Sequence, residues 1–173
     1  MSASPTLHVT GTRLGWAGVA LTDAGIRFAT LFHRTAASAE GELRAFGAVA
    51  GEHPAGEHAL QLLRDYADGA PAPIQAFPID LPGCSELQRA VWLALREIPR
   101  GETRSYGWLA RRLGKGQASR AVGAAVGANP VPIWLPCHRV VASDGTLHGF
   151  GGGLAMKQEL LELEGALPKR MLG

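Results

Sequence analysis

The chain has 173 residues, 46% of them hydrophobic, and a formal net charge of +2. This is a globular composition, long enough to bury a core in one large domain or two small ones, and it excludes a disordered or fibrous chain. Its apolar runs fall far short of the eighteen or so residues of a membrane span, and no basic segment followed by an apolar stretch stands near Met1. Two cysteines, Cys84 and Cys137, cannot form a disulfide framework and suit a reducing compartment such as the cytoplasm.

The charge is unevenly placed. Residues 1–83 carry five basic and eight acidic side chains, a net of −3, which leaves +5 for the remainder. Arg100, Arg104, Arg111, Arg112, Lys115 and Arg120 stand within twenty-one residues against Glu102 alone. Such a stretch is a candidate phosphate-binding footprint, and a solvated helix face has the same composition.

In chain order, Leu7–Val9, Leu14–Leu21 and Ile26–Phe32 read as strands, with a hairpin turn at Thr22–Gly25. Ala39–Ala50 and Glu57–Asp68 have helical spacing, the second with Leu60, Leu63 and Ala67 as its apolar stripe. A proline-punctuated, extended connection through Phe77–Leu81 ends at Pro82-Gly83 and separates an N-terminal domain, 1–80, from a C-terminal domain, 81–173. Ser85 and Gln88 have capping-box spacing ahead of Leu87, Val91, Leu95 and Ile98 on one helical face. Ser105 caps a short helix through Arg112, glycines at 114 and 116 make a turn, and Gln117–Val126 forms another helix. Two short helices about such a turn suggest a helix-turn-helix, although an ordinary helical hairpin fits the same pattern. The expected fold is α+β: a small strand-rich domain with helices, then a mostly helical domain.

The segment 118–128 consists almost wholly of Ala, Gly, Val and Ser, with Arg120 as its one charge. Small side chains cannot probe a major groove, but they allow close approach to another surface. Asn129-Pro130-Val131-Pro132 cannot be helical, and Ile133-Trp134-Leu135 is a short buried run leading into Pro136-Cys137-His138-Arg139. Ser143-Asp144-Gly145 reads as a hairpin turn between two short strands, and Gly149–Gly153 as a loop opening the last helix, Leu154–Glu164. The glycines match no dinucleotide or phosphate-loop fingerprint, and the Cys and His residues lack metal-ligand spacing, so no cofactor and no metal are expected.

A thiolate is a strong nucleophile when a base or positive charge is at hand. Cys137 has His138 and Arg139 beside it, though sequence neighbours seldom meet side chain to side chain, and a bridging water suits them better. A base needs an orienting partner. Glu164 follows Leu160 and Leu161 at i+4 and i+3 and so faces inward with them, where a carboxylate is costly unless paired. His138 is one candidate partner, and Lys157, on the same face, is the other.

Pro136-Cys137-His138-Arg139-Val140 resembles the signature of the O6-alkylguanine-DNA alkyltransferases, the methylated-DNA–protein-cysteine methyltransferases. Ser105-Tyr106, Ser119–Gly123, Asn129–Pro132, Gly152-Gly153-Leu154 and Glu164-Gly165 stand in that family's order and spacing, so the likeness runs from about Leu81 to Gly165. It implies irreversible, single-turnover repair: an alkyl group moves from O6-alkylguanine in double-stranded DNA to Cys137, by a monomer without cofactor, and leaves open whether O4-alkylthymine is also a substrate. His138 would take the thiol proton through a water, Glu164 would orient His138, and Asn129 would brace the turn before the cysteine. Tyr106 would press on the target phosphate, and Arg120 would fill the space the flipped base leaves. Ser119, Ala121 and Gly123 would let the helix enter the minor groove. Trp134, Val140, Phe150 and Gly151 would surround the base. Phe150 departs from the family's frequent Tyr, and Gly151 from the Ser of some members, which bears on substrate range and rate. A cysteine-free binding relative, a Cys-His hydrolase and a transcription factor are the competing readings; Cys137, the adjacent Cys-His pair and the small-residue helix count against them in turn.

Overall fold

The computed structural model describes residues 3–169. Strands β1 (Thr6–Thr12), β2 (Gly15–Thr22) and β3 (Gly25–Ala29) form an antiparallel sheet in that order. β2 is buried on both faces, which explains its nearly continuous apolar run. Helix α1 (Ala36–Ala45) lays Leu43 on Ala20, beside Leu7, Val9 and Phe28. Helix α2 (Gly56–Ala67) covers the other face, where Leu62 borders a cleft with Leu21.

The sequence reading placed α1 three to five residues too late. Thr35 takes an extended conformation and its hydroxyl accepts from the Ser38 N–H, starting the helix early; Gly47, at φ 93°, ends it. The buried face of α2 is Ala59, Leu62, Leu63, Tyr66 and Ala67, so Leu60 sits on the flank of the expected stripe. β3 stops before Thr30, whose hydroxyl turns back to accept from Gly18 N–H.

The connection after α2 contains a 3-10 turn at Ile74–Ala76 and then runs parallel to β3. Ile26 N–H donates to Pro78 O at 3.0 Å, and Asp80 N–H donates to Ile26 O at 2.8 Å. Gly25 (φ 137°) makes this possible, because a Cβ there would lie 2.4 Å from Pro78 O. Asp80 is held by Arg27 and by the Thr22 hydroxyl.

The chain divides into two compact units, Met1–Pro82 with Pro130–Trp134, and Gly83–Asn129 with Leu135–Gly173. In the first, Pro130 O accepts from Ala29 N–H and the Trp134 ring meets Phe77 edge-on.

In the second unit, α3 (Glu86–Leu95) starts with the Ser85/Gln88 capping box. Strand β4 (Arg104–Ser105) leads into α4 (Tyr106–Arg112), whose cap Ser105 accepts from Trp108 N–H. After a turn with Gly114 at φ 68°, α5 runs over Ser119–Gly127. Strand β5 (Val140–Val141) pairs in parallel with β4. The expected hairpin about Ser143–Gly145 is therefore corrected: the turn forms, with Gly145 N–H on Ala142 O, but β5 takes its partner from β4, and the residues beyond Gly145 form no strand. Helix α6 (Leu154–Leu163) leaves Glu164 as its cap. Among the described residues no helix is long and apolar enough to cross a membrane.

α5 packs on α3 through small residues and one directional bond: Trp92 Nε1–H donates to Ala125 O at 2.7 Å, in a buried setting. Trp92→Phe keeps most of the packing and leaves that carbonyl without this donor, so unfolding by denaturant should show a loss of about 1–3 kcal/mol.

Candidate active site

The approach to Cys137 is built from residues that resist regular structure. Asn129 follows α5, and its side-chain Nδ2–H donates to Leu135 O at 2.7 Å, closing the loop over 130–134. Ile133, inside that loop, has φ 76°, a left-handed conformation costing a β-branched residue about 1–3 kcal/mol. The chain then turns through a 3-10 helix, Cys137–Arg139, with Cys137 N–H on Leu135 O at 2.8 Å. Cys137 is 8% exposed and free of disulfide; His138 and Arg139 are buried.

His138 Nε2 lies 2.8 Å from Glu164 Oε2. Arg139 grips the same carboxylate with a fork, Nε to Oε1 at 2.8 Å and Nη2 to Oε2 at 3.0 Å, and its Nη1 donates to Ile98 O at 2.8 Å. Burial works to raise the Glu164 carboxyl, but the His138 imidazole and the Arg139 guanidinium outweigh it and hold the group well below the usual carboxylate range. An ionised Glu164 only accepts, so Nε2 carries the imidazole proton. Nδ1 is left as a lone-pair acceptor, buried and without a hydrogen-bond partner.

Of the two expected partners of Glu164, His138 is the one in place. Lys157 is fully buried, but its Nζ donates to Val140 O at 2.6 Å and His148 O at 3.0 Å. Arg139 was not foreseen as the second cation on Glu164. Its position beside the motif signalled proximity to Cys137, not that a guanidinium would be buried to complete the carboxylate's hydrogen bonding.

Burial pushes the Cys137 thiol up; the Asn129 amide, the charge of Lys157 and the backbone N–H groups of Cys137 and His138 act in the opposite sense. Tyr106, at the start of α4, is half-buried, and burial and then Cys137 push its phenol up. Val140 is buried and Phe150 half-buried, while Gly151 is exposed. Trp134 is buried against Phe77 in the first unit.

Along α5, Ser119, Arg120 and Ala121 are exposed. Gly123 faces Tyr106, and a Cβ there would lie 4.0 Å from that ring. On α4, Arg112 pairs with Glu97 at 2.9 Å, and Arg111 folds back over Gly107. Among the described residues, no three His, Cys, Asp or Glu side chains are grouped to hold a metal ion.

The Glu164 cluster predicts a pH signature. A carboxyl held low in the folded state adds stability that is complete above its unfolded range, near pH 4.3, and is lost as pH falls below it. Glu164→Gln should therefore cost about 3 kcal/mol or more at pH 7, because Arg139 stays buried without its counter-charge. In thermal unfolding from pH 7 to pH 2, the gap between parent and variant should hold down to about pH 4.5 and narrow below it.

The family model described as "6-O-methylguanine DNA methyltransferase, DNA binding domain" matches residues 86–166. A methylated-DNA–protein-cysteine methyltransferase of Mycolicibacterium paratuberculosis is 58% identical over 86 residues, 50% of this chain and 52% of that protein. The chain thus spans about half the length of the curated relatives it matches. The solved structure of a Mycobacterium tuberculosis O6-methylguanine methyltransferase variant is similar over 96% of both chains, at 34% identity and TM-score 0.75. The M. tuberculosis protein in complex with DNA matches over 93% of both, at 33% identity and TM-score 0.74. With a free cysteine in a buried Pro-Cys-His-Arg turn, a paired histidine and likeness over nearly its whole length, the chain belongs to the methylated-DNA–protein-cysteine methyltransferase family.

Proposed function

We propose that this protein reverses DNA alkylation directly, transferring the alkyl group of O6-alkylguanine in duplex DNA to Cys137 once and irreversibly. The observation that carries this reading is the state of His138. Its Nε2 is committed to an ionised, buried Glu164, and its Nδ1 is an unshared base one residue from a free thiol. His138 takes the proton of Cys137, relayed by one water; the resulting imidazolium is balanced by Glu164, and the thiolate attacks the alkyl carbon. The S–C bond forms as the C–O6 bond breaks, and the departing guanine takes up a proton. The thioether has no route back, so each molecule acts once. Asn129 braces the turn, and Val140, Phe150 and Gly151 surround the base; Trp134, fully buried against Phe77, belongs to the core of the first unit.

DNA is held by α4 and α5. The exposed small residues Ser119 and Ala121, with Gly123 behind them, suit a shallow minor groove. Tyr106 presses on the target phosphate, and Arg120 enters the stack as the base leaves. The M. tuberculosis relative was crystallised with DNA, which supports this surface. The protein acts as a monomer, without cofactor, in a compartment that keeps thiols reduced, as the cytoplasm does.

Mixing the protein with an oligonucleotide containing O6-methylguanine should add one methyl to Cys137 and none to Cys84, as read by mass spectrometry of peptides. Repeated turnover, or methyl on Cys84 alone, would overturn the reading.

Arg120 is expected to act as a wedge more than as a phosphate contact. Arg120→Ala should slow repair inside a duplex and have little effect on the reaction with a free O6-alkylguanine base, which has no stack to leave. Arg111→Ala should instead weaken binding to all DNA and lower its salt slope by about one unit. Equal slowing of both substrates by Arg120→Ala would make the residue part of the pocket.

A further inference from the structure

Lys157 is a charge that the mechanism above does not use. It lies in the first turns of α6, fully buried, where both desolvation and the helix dipole oppose a cation. The carboxylate that could have balanced it, Glu164, is held by His138 and Arg139. Among the described residues Lys157 forms no ion pair with an acid: its ammonium donates to the carbonyls of Val140 and His148 and lies 6.0 Å from the centre of the Tyr106 ring. Carbonyls and a ring face solvate a cation without neutralising it, and burial lowers the affinity of Lys157 for its proton.

The geometry shows where that charge is directed. Val140 caps the 3-10 turn Cys137–Arg139, its N–H donating to Cys137 O, and so stands one 3-10 turn beyond the nucleophile. The ammonium is anchored on the carbonyl of that residue. Tyr106, whose ring faces the ammonium, is also within electrostatic range of Cys137. The titratable groups about Cys137 are then His138 on its own turn, Tyr106 from α4 and Lys157 from α6. Of these, His138 is bound through Nε2 to Glu164, and Tyr106 is a neutral phenol at pH 7. Lys157 alone among the three brings a cation that no carboxylate has cancelled.

We propose that Lys157 is the counter-cation of the Cys137 thiolate, a positioning residue that stabilises the nucleophile's charge while the His138–Glu164–Arg139 cluster serves the proton. The proposal rests on the reading of Cys137 as the nucleophile. It divides the labour of activation: His138 removes the proton, and Lys157 lowers the energy of the anion left behind. The reciprocal electrostatics agree, since burial lowers the affinity of Lys157 for its proton and the Cys137 thiolate restores part of it. The anchoring carbonyls have a second effect. They tie β5 to the start of the loop carrying Phe150, so the charge stays in place when a base enters.

The test uses iodoacetamide, which needs no DNA, with Cys84 as an internal reference resolved by mass spectrometry. The rate of Cys137 carboxamidomethylation is followed from pH 5 to pH 10 in the parent and in Lys157→Met. Below both midpoints the variant should be alkylated about tenfold more slowly at each pH, as a thiol raised by about one further unit requires, while the Cys84 rate stays unchanged. Equal Cys137 rates in the two proteins across this range would overturn the proposal. A second measurement uses the unmutated protein and does not depend on how the variant folds: the 13C shift of the Lys157 Cε is titrated before and after S-methylation of Cys137 by methyl iodide. Removing the thiolate should lower the Lys157 midpoint, and an unchanged midpoint would overturn the proposal. Because neither readout involves nucleic acid, a failure to repair O6-methylguanine would count against the proposed function and leave this result standing.

Discussion

A carboxylate buried away from water must be met by cations and donors, and Glu164 is met by the imidazole of His138 and by two arms of the Arg139 guanidinium. In a low-dielectric interior these bonds are strong when complete, and removing one member strands the others. Glu164 ends α6, while His138 and Arg139 belong to the turn that carries Cys137. One ionic cluster therefore fixes the last helix to the nucleophile's turn. It also sets the imidazole tautomer, which decides that the free lone pair is on Nδ1. A single interaction thus both serves packing and sets the imidazole tautomer.

The turn itself is held under tension. Ile133 occupies a left-handed conformation that only surrounding contacts can maintain. On one side Pro130 and Trp134 pack with the first unit, against Ala29 and Phe77. On the other, Asn129 reaches across the loop to Leu135 O. The chain from 130 to 134 is embedded in the core of the first unit.

Helix α5 follows a different logic. A helix made of Ala, Gly and Val has little side-chain area with which to anchor itself. α5 is positioned instead by its buried residues Val122, Ala125 and Val126 and by the bond from Trp92 to Ala125 O. Its exposed face stays small, with Arg120 as the one long side chain on it. The helix is anchored by α3, so its exposed side needs no bulk of its own.

Much of this was legible from local chemistry. The Ser85/Gln88 capping box, the cap at Ser105 and the continuous apolar run of β2 are properties of neighbouring residues, and a sequence carries such information directly. So is the inward face shared by Lys157, Leu160, Leu161 and Glu164, set by the helical repeat. Choices between partners were not legible. The sequence left Glu164 to His138 or Lys157, and packing assigned it to His138 and Arg139 together. It offered a hairpin at Ser143–Gly145, and the tertiary fold paired Val140–Val141 with Arg104–Ser105, thirty-six positions earlier. The order of residues determined which groups face inward and which chemistry they can perform. The tertiary structure decided which of them meet, because a buried charge or an unpaired strand edge is satisfied by whatever donor or acceptor the rest of the fold brings within 3 Å of it.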